Sequence, residues 1–171
     1  HIISVGTGQA LRMGKDGNVD VVLVHAPRAE IQFVNAGFGL NRRSLMYNDF
    51  IIVGPIDDPA KILTEKSAIK SFEKIAQLKQ LFVSRGDDSG THYKELYLWD
   101  KSKLKPNISW YREVGQGMGR VLQMASELDA YTLTDRGTWL VMSSKLSLRI
   151  LTEGDPDLYN HYSIIAVNPA R

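Results

Sequence analysis

The sequence predicts an α/β protein that is built from two lobes. Short apolar, β-branched segments alternate with amphipathic helical segments along the chain, and this alternation is typical of α/β folds. Several turns that lead from a strand into a helix are rich in glycine and hydroxyl side chains. Such turns are where α/β folds commonly bind ligands. We expect residues 1–53 and 155–171 to form the first lobe and residues 54–154 the second, with strands near Phe50 and Ile164 crossing between them.

The N-terminal stretch predicts strands and helices in alternation. Residues 2–5 are apolar and β-branched, which indicates a short buried strand, and a turn at 6–8 leads into a helix over 9–14. Residues 19–25 are nearly all apolar, which predicts a central parallel strand covered on both faces. Pro27 then starts a helix that buries Phe33 and ends at Gly37. Because a strand follows His1 directly, we expect the chain to begin inside the fold.

The remaining elements continue the same alternation. A strand over residues 47–53 ends at Gly54 and Pro55, and Asp58 with Pro59 signals the start of a helix. Apolar residues at helical spacing predict helices over 67–77 and 118–128. Shorter patterns predict helices at 91–99 and 137–143, and strands at 81–83, 108–113, 130–133, 148–151 and 162–167.

Composition and charge exclude several classes of function. The net charge is only +2, and Arg42 with Arg43 is the one basic pair, so we expect no nucleic-acid partner. The absence of cysteine excludes disulfides, thiol catalysis and cysteine-ligated metals. No apolar run approaches the ~18 residues of a membrane span, so we expect no membrane insertion. No set of nucleophile, base and acid is apparent, so we predict that the protein is not an enzyme.

Three turns carry the pattern of an anion site: residues 6–8, 84–91 and 115–119. The N-terminus of a helix has unpaired N–H groups and a partial positive charge, and glycine lets an anion approach the backbone closely. Serine and threonine hydroxyls add further donors. The same residues also suit ordinary helix caps, so the pattern alone leaves both interpretations open.

One of these turns resembles a known motif. Residues 84–91 read S-R-G-D-D-S-G-T and are followed by Glu95 and Trp99. This segment closely resembles the S-R-G-D-x-S-G-T…E…W motif of the TupA-type tungstate-binding proteins. Residues 5–11, 20–25, 41–43, 46–50, 132–138 and 162–169 are similar to the same family in collinear order.

The resemblance implies a periplasmic-binding-protein fold of type II that closes on tungstate or molybdate. It implies no cofactor, an extracytoplasmic location, and delivery of the ion to the permease and ATPase of an ABC transporter. The family's N-terminal T-T-T-S loop and its C-terminal helices have no counterpart here, so we expect a truncated first lobe that favours self-association. The oxyanion donors that the resemblance implies are Thr7, Arg85, Ser89, Gly90, Thr91, Gly117, Met118, Thr132 and Thr134.

The charged neighbours of these donors have supporting roles in this interpretation. We expect Asp87 to cap a turn and pair with Arg85, and Glu95 to support Arg85 from behind. His25 and His92 lack a partner at metal-ligand spacing, so we predict structural roles for them and no metal site. Two alternatives remain open: a phosphate- or sulfate-binding protein, and the ligand-sensing domain of a regulator.

Overall fold

The computed structural model describes residues 1–170 and divides the chain into two compact units. Unit 1 contains His1–Asn48, Asp88–Gly90 and the segment that begins at Asn160, and unit 2 contains Asp49–Asp87 and Thr91–Tyr159. The α/β class is as the sequence predicted, and the divisions at residues 48 and 159 lie about five residues from the predicted ones. No helix within residues 1–170 is long and apolar enough to cross a membrane.

Unit 1 contains helices α1 (Thr7–Lys15) and α2 (Pro27–Asn35) and strands β1 (Val21–Val24) and β7 (Tyr159–Val167). The first residue of β7, Tyr159, still belongs to unit 2. Strands β1 and β7 are antiparallel. Buried apolar side chains from both helices and both strands form one cluster, which contains Leu11, Val22, Val24, Phe33 and Ile165. Gly37 follows α2 with φ +80°, a value that suits the expected helix end.

The prediction of a parallel strand covered on both faces is wrong for β1. Its residues alternate between exposed and buried, and the outward-facing Val21 and Leu23 are each 50% exposed. A run of valines shows that a strand is favoured, but it does not show whether the second face has a covering element.

The strand predicted at residues 2–5 is also wrong. This segment has no regular structure, and Ile2 is fully exposed. Its β-branched residues favour an extended backbone locally, but a strand also needs a neighbour to pair with its backbone groups.

Strand β2 (Gly39–Pro55) is 17 residues long and belongs to both units. The sequence predicted only residues 47–53, because the preceding segment is polar and mostly exposed. In unit 2, β2 pairs antiparallel with β5 (Thr132–Asp135) and β6 (Leu148–Thr152). Gly54 does not end the strand: a Cβ there would lie 2.6 Å from the Tyr131 ring, so glycine permits close packing within the sheet.

The rest of unit 2 contains strands β3 (Phe82–Ser84) and β4 (Tyr111–Glu113) and helices α3 (Ala68–Gln77), α4 (Gly90–Ser102, whose first residue lies in unit 1), α5 (Met118–Glu127) and α6 (Arg136–Met142). Strand β3 pairs parallel with β4, and Phe82 of β3 forms a parallel bridge with Tyr131, the residue before β5. Phe82 lies in the apolar cluster that includes residues of α3 and α4, and Val83 lies in the cluster that includes residues of α5 and α6. Both faces of this sheet are therefore covered.

In unit 2, one predicted helix is replaced by a turn and one predicted strand is shorter than expected. Asp58 does not start a helix: it has φ +47°, and its carboxylate accepts hydrogen bonds from the Leu63 N–H at 2.8 Å and the Tyr131 hydroxyl at 2.9 Å. The strand predicted from residue 108 begins only at Tyr111, and Ile108 is 92% exposed in the preceding turn.

Candidate functional site

Two of the three glycine-rich turns lie side by side at one edge of unit 2. Strands β3 and β4 are parallel, so the loops that follow them leave the sheet at the same edge. The backbone N–H of Val114 donates to the Ser84 carbonyl at 3.1 Å, and that of Gly115 donates to the Arg85 carbonyl at 2.8 Å. The turn at 115–119 therefore holds the backbone that carries Arg85.

Arg85 is paired with Asp87, as the sequence predicted. Its Nε donates to Asp87 Oδ2 at 3.1 Å and its Nη2 donates to the same oxygen at 2.5 Å. The two side chains are 19% and 23% exposed, so the pair is partly open to solvent. The guanidinium still has N–H groups that Asp87 does not use, and these can donate to an anion.

Gly86 allows this loop to pass close to β4. It has φ +57°, and a Cβ at this position would lie 2.7 Å from Cβ of Glu113. Any larger residue would therefore combine backbone strain with a steric clash, and would displace Arg85.

Helix α4 begins at Gly90, one residue before the predicted start of this helix. A Cβ on Gly90 would lie 2.1 Å from Cε1 of His25, so only glycine fits against this ring of unit 1. Ser89 is 7% exposed and Thr91 is 5% exposed. Within residues 1–170 the Thr91 hydroxyl makes no hydrogen bond, which leaves its proton available to a ligand.

Helices α1 and α5 differ from α3 and α6 at their N-termini. Ser67 caps α3 and Asp135 caps α6 through side-chain oxygens. Helix α5 instead follows Gly117, and α1 follows Gly6, with no side-chain cap and no acidic residue in the first turn. A Cβ added to Gly117 would meet nothing within 4 Å beyond its neighbours in the chain, and Met118 at the first position of α5 is 6% exposed. The N–H groups of these first turns can serve an anion.

In unit 1, Thr7 is the first residue of α1 and is 3% exposed. The expected helix is present, but it begins two residues before the predicted start, so residues 7 and 8 belong to the helix and not to a turn. Thr7 thus places a hydroxyl at an uncapped N-terminus.

The two threonines of β5 are placed differently from the expectation. Thr132 Oγ1 donates to the Val83 carbonyl at 2.7 Å, so its hydroxyl proton is used inside the sheet and we leave Thr132 out of the donors proposed below. Thr134 is fully buried, and its hydroxyl makes a longer contact of 3.2 Å with the Asp135 carbonyl. The sequence pattern could not show this, because a strand threonine can face either a ligand or a neighbouring carbonyl.

Glu95 does not support Arg85 directly, which corrects the expected role. Its Oε1 accepts hydrogen bonds from the Tyr111 hydroxyl at 2.7 Å and from Trp99 Nε1 at 3.1 Å. Burial raises the pKa of Glu95 to about 7, although hydrogen bonds from Tyr111, Ser84 and Trp99 lower it. Trp99 could have been found from its spacing of four residues on one helix face, whereas Tyr111 comes from a strand that the sequence does not link to Glu95.

The histidines contact other protein groups in the structure. His25 Nδ1 lies 2.9 Å from Asn160 Oδ1, and its ring stacks on Tyr162 with centroids 4.8 Å apart. His92 Nε2 lies 3.7 Å from Glu113 Oε1. Within residues 1–170, no group of three or more metal-ligating side chains is assembled.

Comparisons with known proteins identify the family of this chain. The model of the PBP superfamily domain matches residues 1–171. The tungstate-binding protein TupA of Peptoclostridium acidaminophilum is 52% identical over 98% of this chain, and that of Campylobacter jejuni is 45% identical over 98%. The crystal structure of the tungstate ABC transporter from Geobacter sulfurreducens superimposes with a TM-score of 0.87 at 53% identity, over 98% of this chain and 72% of that one.

The chain spans only part of the two curated relatives. It covers 59% of the Peptoclostridium protein and 64% of the Campylobacter protein. The activity and partners of the whole protein therefore belong to the proposal that follows.

Proposed function

The chain belongs to the periplasmic-binding-protein (PBP) superfamily, and from this premise we propose that it captures a tetrahedral oxyanion, tungstate or molybdate, for uptake by an ABC transporter. The protein binds its ligand without a cofactor and without catalysing a reaction. It acts outside the cytoplasm and hands the ion to a membrane permease driven by an ATPase. The names of its tungstate-binding relatives support this choice of ligand.

The observation that carries the proposal is the edge of unit 2, where the backbone of Arg85 is hydrogen-bonded to the turn that precedes the uncapped start of α5. The Gly115 N–H holds the Arg85 carbonyl at 2.8 Å, and Gly117 leaves the first amides of α5 without a side-chain cap. One cation combined with neutral N–H and hydroxyl donors suits a dianion, because it avoids the high desolvation cost of burying several charges.

The proposed donors come from both parts of the chain. In unit 2 they are the Arg85 guanidinium, the Thr91 hydroxyl, the amides of Gly117 and Met118, and Thr134. In unit 1 they are Thr7, Ser89 and Gly90, whose inclusion rests on the resemblance of residues 5–11 and 84–91 to the TupA-type proteins.

The direct test is calorimetric titration of the purified protein with tungstate, molybdate, sulfate and phosphate. We expect tungstate and molybdate to bind more tightly than the two smaller ions. Equal affinity for all four would favour a general oxyanion receptor, and tighter binding of sulfate or phosphate would contradict the proposed ligand.

Arg85→Ala should weaken tungstate binding by about ten- to a hundred-fold, because a charged hydrogen bond contributes roughly 1.5–3 kcal/mol. Arg85→Lys should also lose affinity, since one ammonium group cannot reproduce the planar fork of the guanidinium. The matched control is Arg12→Ala, which removes an exposed arginine near the end of α1. An Arg85→Ala protein that folds normally and binds tungstate like the control would contradict the assigned role.

We also propose that unit 1 can associate with a second molecule. Leu23 of β1 and Ile164 of β7 are directly paired, so their side chains lie on the same face of the sheet. They are 50% and 36% exposed, and Val21 on the same face is 50% exposed. An apolar sheet face that is open to water favours association.

A further inference from the structure

A buried carboxyl group lies directly beneath the loop that carries Arg85. Glu95 is 2% exposed, and the groups that hydrogen-bond its carboxyl are all neutral: the hydroxyls of Tyr111 and Ser84 and the Trp99 indole. When Glu95 is ionised, unit 2 therefore holds a buried negative charge without a salt-bridge partner, and such a charge is costly.

Ser84 connects this carboxyl to the anion-binding loop. Its hydroxyl is close enough to Glu95 to lower the pKa of that carboxyl, and it also accepts the Gly86 N–H at 3.2 Å. Arg85 is the residue between these two contacts. The carboxyl is thus linked through one hydroxyl to the backbone on both sides of the proposed cationic donor.

We propose that Glu95 makes oxyanion capture proton-linked: the oxyanion binds preferentially when this carboxyl is protonated, and binding to the ionised form is accompanied by uptake of a proton. The inference rests on the proposed function and assigns Glu95 a positioning and charge-regulating role. It does not place Glu95 in contact with the ligand. The physical reason is that a dianion held by the loop and a buried carboxylate beneath it repel each other through a medium of low dielectric constant.

The surroundings of Glu95 favour a change of charge near neutral pH. Burial is the main cause that raises its pKa to about 7, and the negative field of Glu113 acts in the same direction. His92, on the same helix, lies beside Glu113, and Arg85 is engaged by Asp87. Helix α3 contributes an apolar neighbour on this side: the ring centroids of Phe72 and Trp99 are 4.3 Å apart.

The sign of the effect follows from linkage. A bound dianion raises the pKa of Glu95 further, so the complex holds more protons than the ligand-free protein above that pKa. Affinity should be highest below the ligand-free pKa and should fall as the pH rises through it, by at most tenfold per pH unit. Between about pH 6 and pH 8, we expect tungstate affinity to fall roughly five- to tenfold.

The experiment is calorimetry with micromolar sodium tungstate across this pH range, repeated in two buffers with different ionisation enthalpies so that proton uptake is counted. The native protein should take up a measurable fraction of a proton per anion near neutral pH. Glu95→Gln should bind with little pH dependence and no proton uptake. Glutamine suits the site because its Oε1 can still accept both the Tyr111 and Trp99 hydrogen bonds, which converge on Oε1 of Glu95.

Two control variants separate Glu95 from its titratable neighbours. His92→Gln should keep the pH dependence, and Glu113→Gln should keep it with a lower midpoint, because the field of Glu113 raises the pKa of Glu95. Loss of the pH dependence in His92→Gln, together with its survival in Glu95→Gln, would overturn the inference.

A ligand-free measurement separates this inference from the proposed function. Trp99 donates to Glu95, so tryptophan fluorescence of the native protein should show a step near neutral pH that Glu95→Gln lacks. Tungstate binding that is independent of pH, or a fluorescence step that persists in Glu95→Gln, would overturn the proton linkage and leave the proposed function intact. Absence of tungstate binding at every pH would overturn both.

Discussion

Single hydroxyl groups at the edge of unit 2 have distinct tasks, although they look alike in the sequence. Thr132 donates its proton to the Val83 carbonyl, which ties β5 to β3. Thr91, at the start of α4, is nearly as buried but makes no hydrogen bond within the described chain. The first hydroxyl stabilises the fold, and the second is available to a ligand.

Matched substitutions of these threonines by valine should separate stability from binding. Thr132→Val leaves the Val83 carbonyl unpaired, so it should lower the free energy of unfolding by about 1–3 kcal/mol with little change in affinity. Thr91→Val should change the free energy of unfolding by less than ~0.5 kcal/mol and weaken tungstate binding about tenfold or more. Urea unfolding and calorimetry measure the two quantities, and the opposite assignment of losses would refute this division of roles.

At the scale of elements, the starts of the helices show which are structural and which are available for binding. Helices α3 and α6 are closed by the side chains of Ser67 and Asp135. Helix α5 starts from Gly117, which has φ −64° and ψ 155°, values that alanine also adopts. Glycine is therefore not required there by the backbone, and a close approach by a ligand would explain it.

Gly117→Ala should weaken tungstate binding tenfold or more, because a methyl group would stand beside the first amides of α5. Its free energy of unfolding should change by less than about 1 kcal/mol, since the added Cβ would meet nothing within 4 Å beyond its neighbours in the chain. The control is Ser67→Ala, which removes a real cap from α3 and should cost about 1 kcal/mol of stability while affinity stays the same. If Gly117→Ala binds tungstate as tightly as Ser67→Ala does, the anion does not contact the first amides of α5.

The elements also show where sequence reasoning succeeds. The helices over Ala68–Gln77 and Met118–Glu127 were predicted because apolar residues recur at helical spacing, which identifies both the core-facing and the solvent-facing side of each helix. The exposed half of β2 and the one-sided β1 were missed, since their environment depends on which other strands and helices cover them. The partners of Glu95 were missed for the same reason: Tyr111 approaches through the pairing of β3 with β4, which is a tertiary event.

For the whole molecule, the exposed apolar face of β1 and β7 has a consequence for its state in solution. Sedimentation velocity should show association that increases with protein concentration. Leu23→Lys places a charge at the centre of this face and should raise the dissociation constant at least tenfold. Leu140→Lys is the control, because Leu140 is 70% exposed on α6 of unit 2. A monomer at all concentrations, or equal effects of both variants, would contradict association through this face.

The pairing of β1 with β7 also has a consequence for biosynthesis. His25 and its hydrogen-bond partner Asn160 are 135 residues apart in the chain, and ribosomes add about 5–20 residues per second. For about 7 to 27 seconds after His25 is added to the chain, the strand that completes the β1 ladder has therefore not been made. During that interval Val22, Val24 and Phe33, all buried in the finished protein, are open to water and to other chains. Nascent unit 1 should therefore depend on holding chaperones, or on slow release for export, more than nascent unit 2 does.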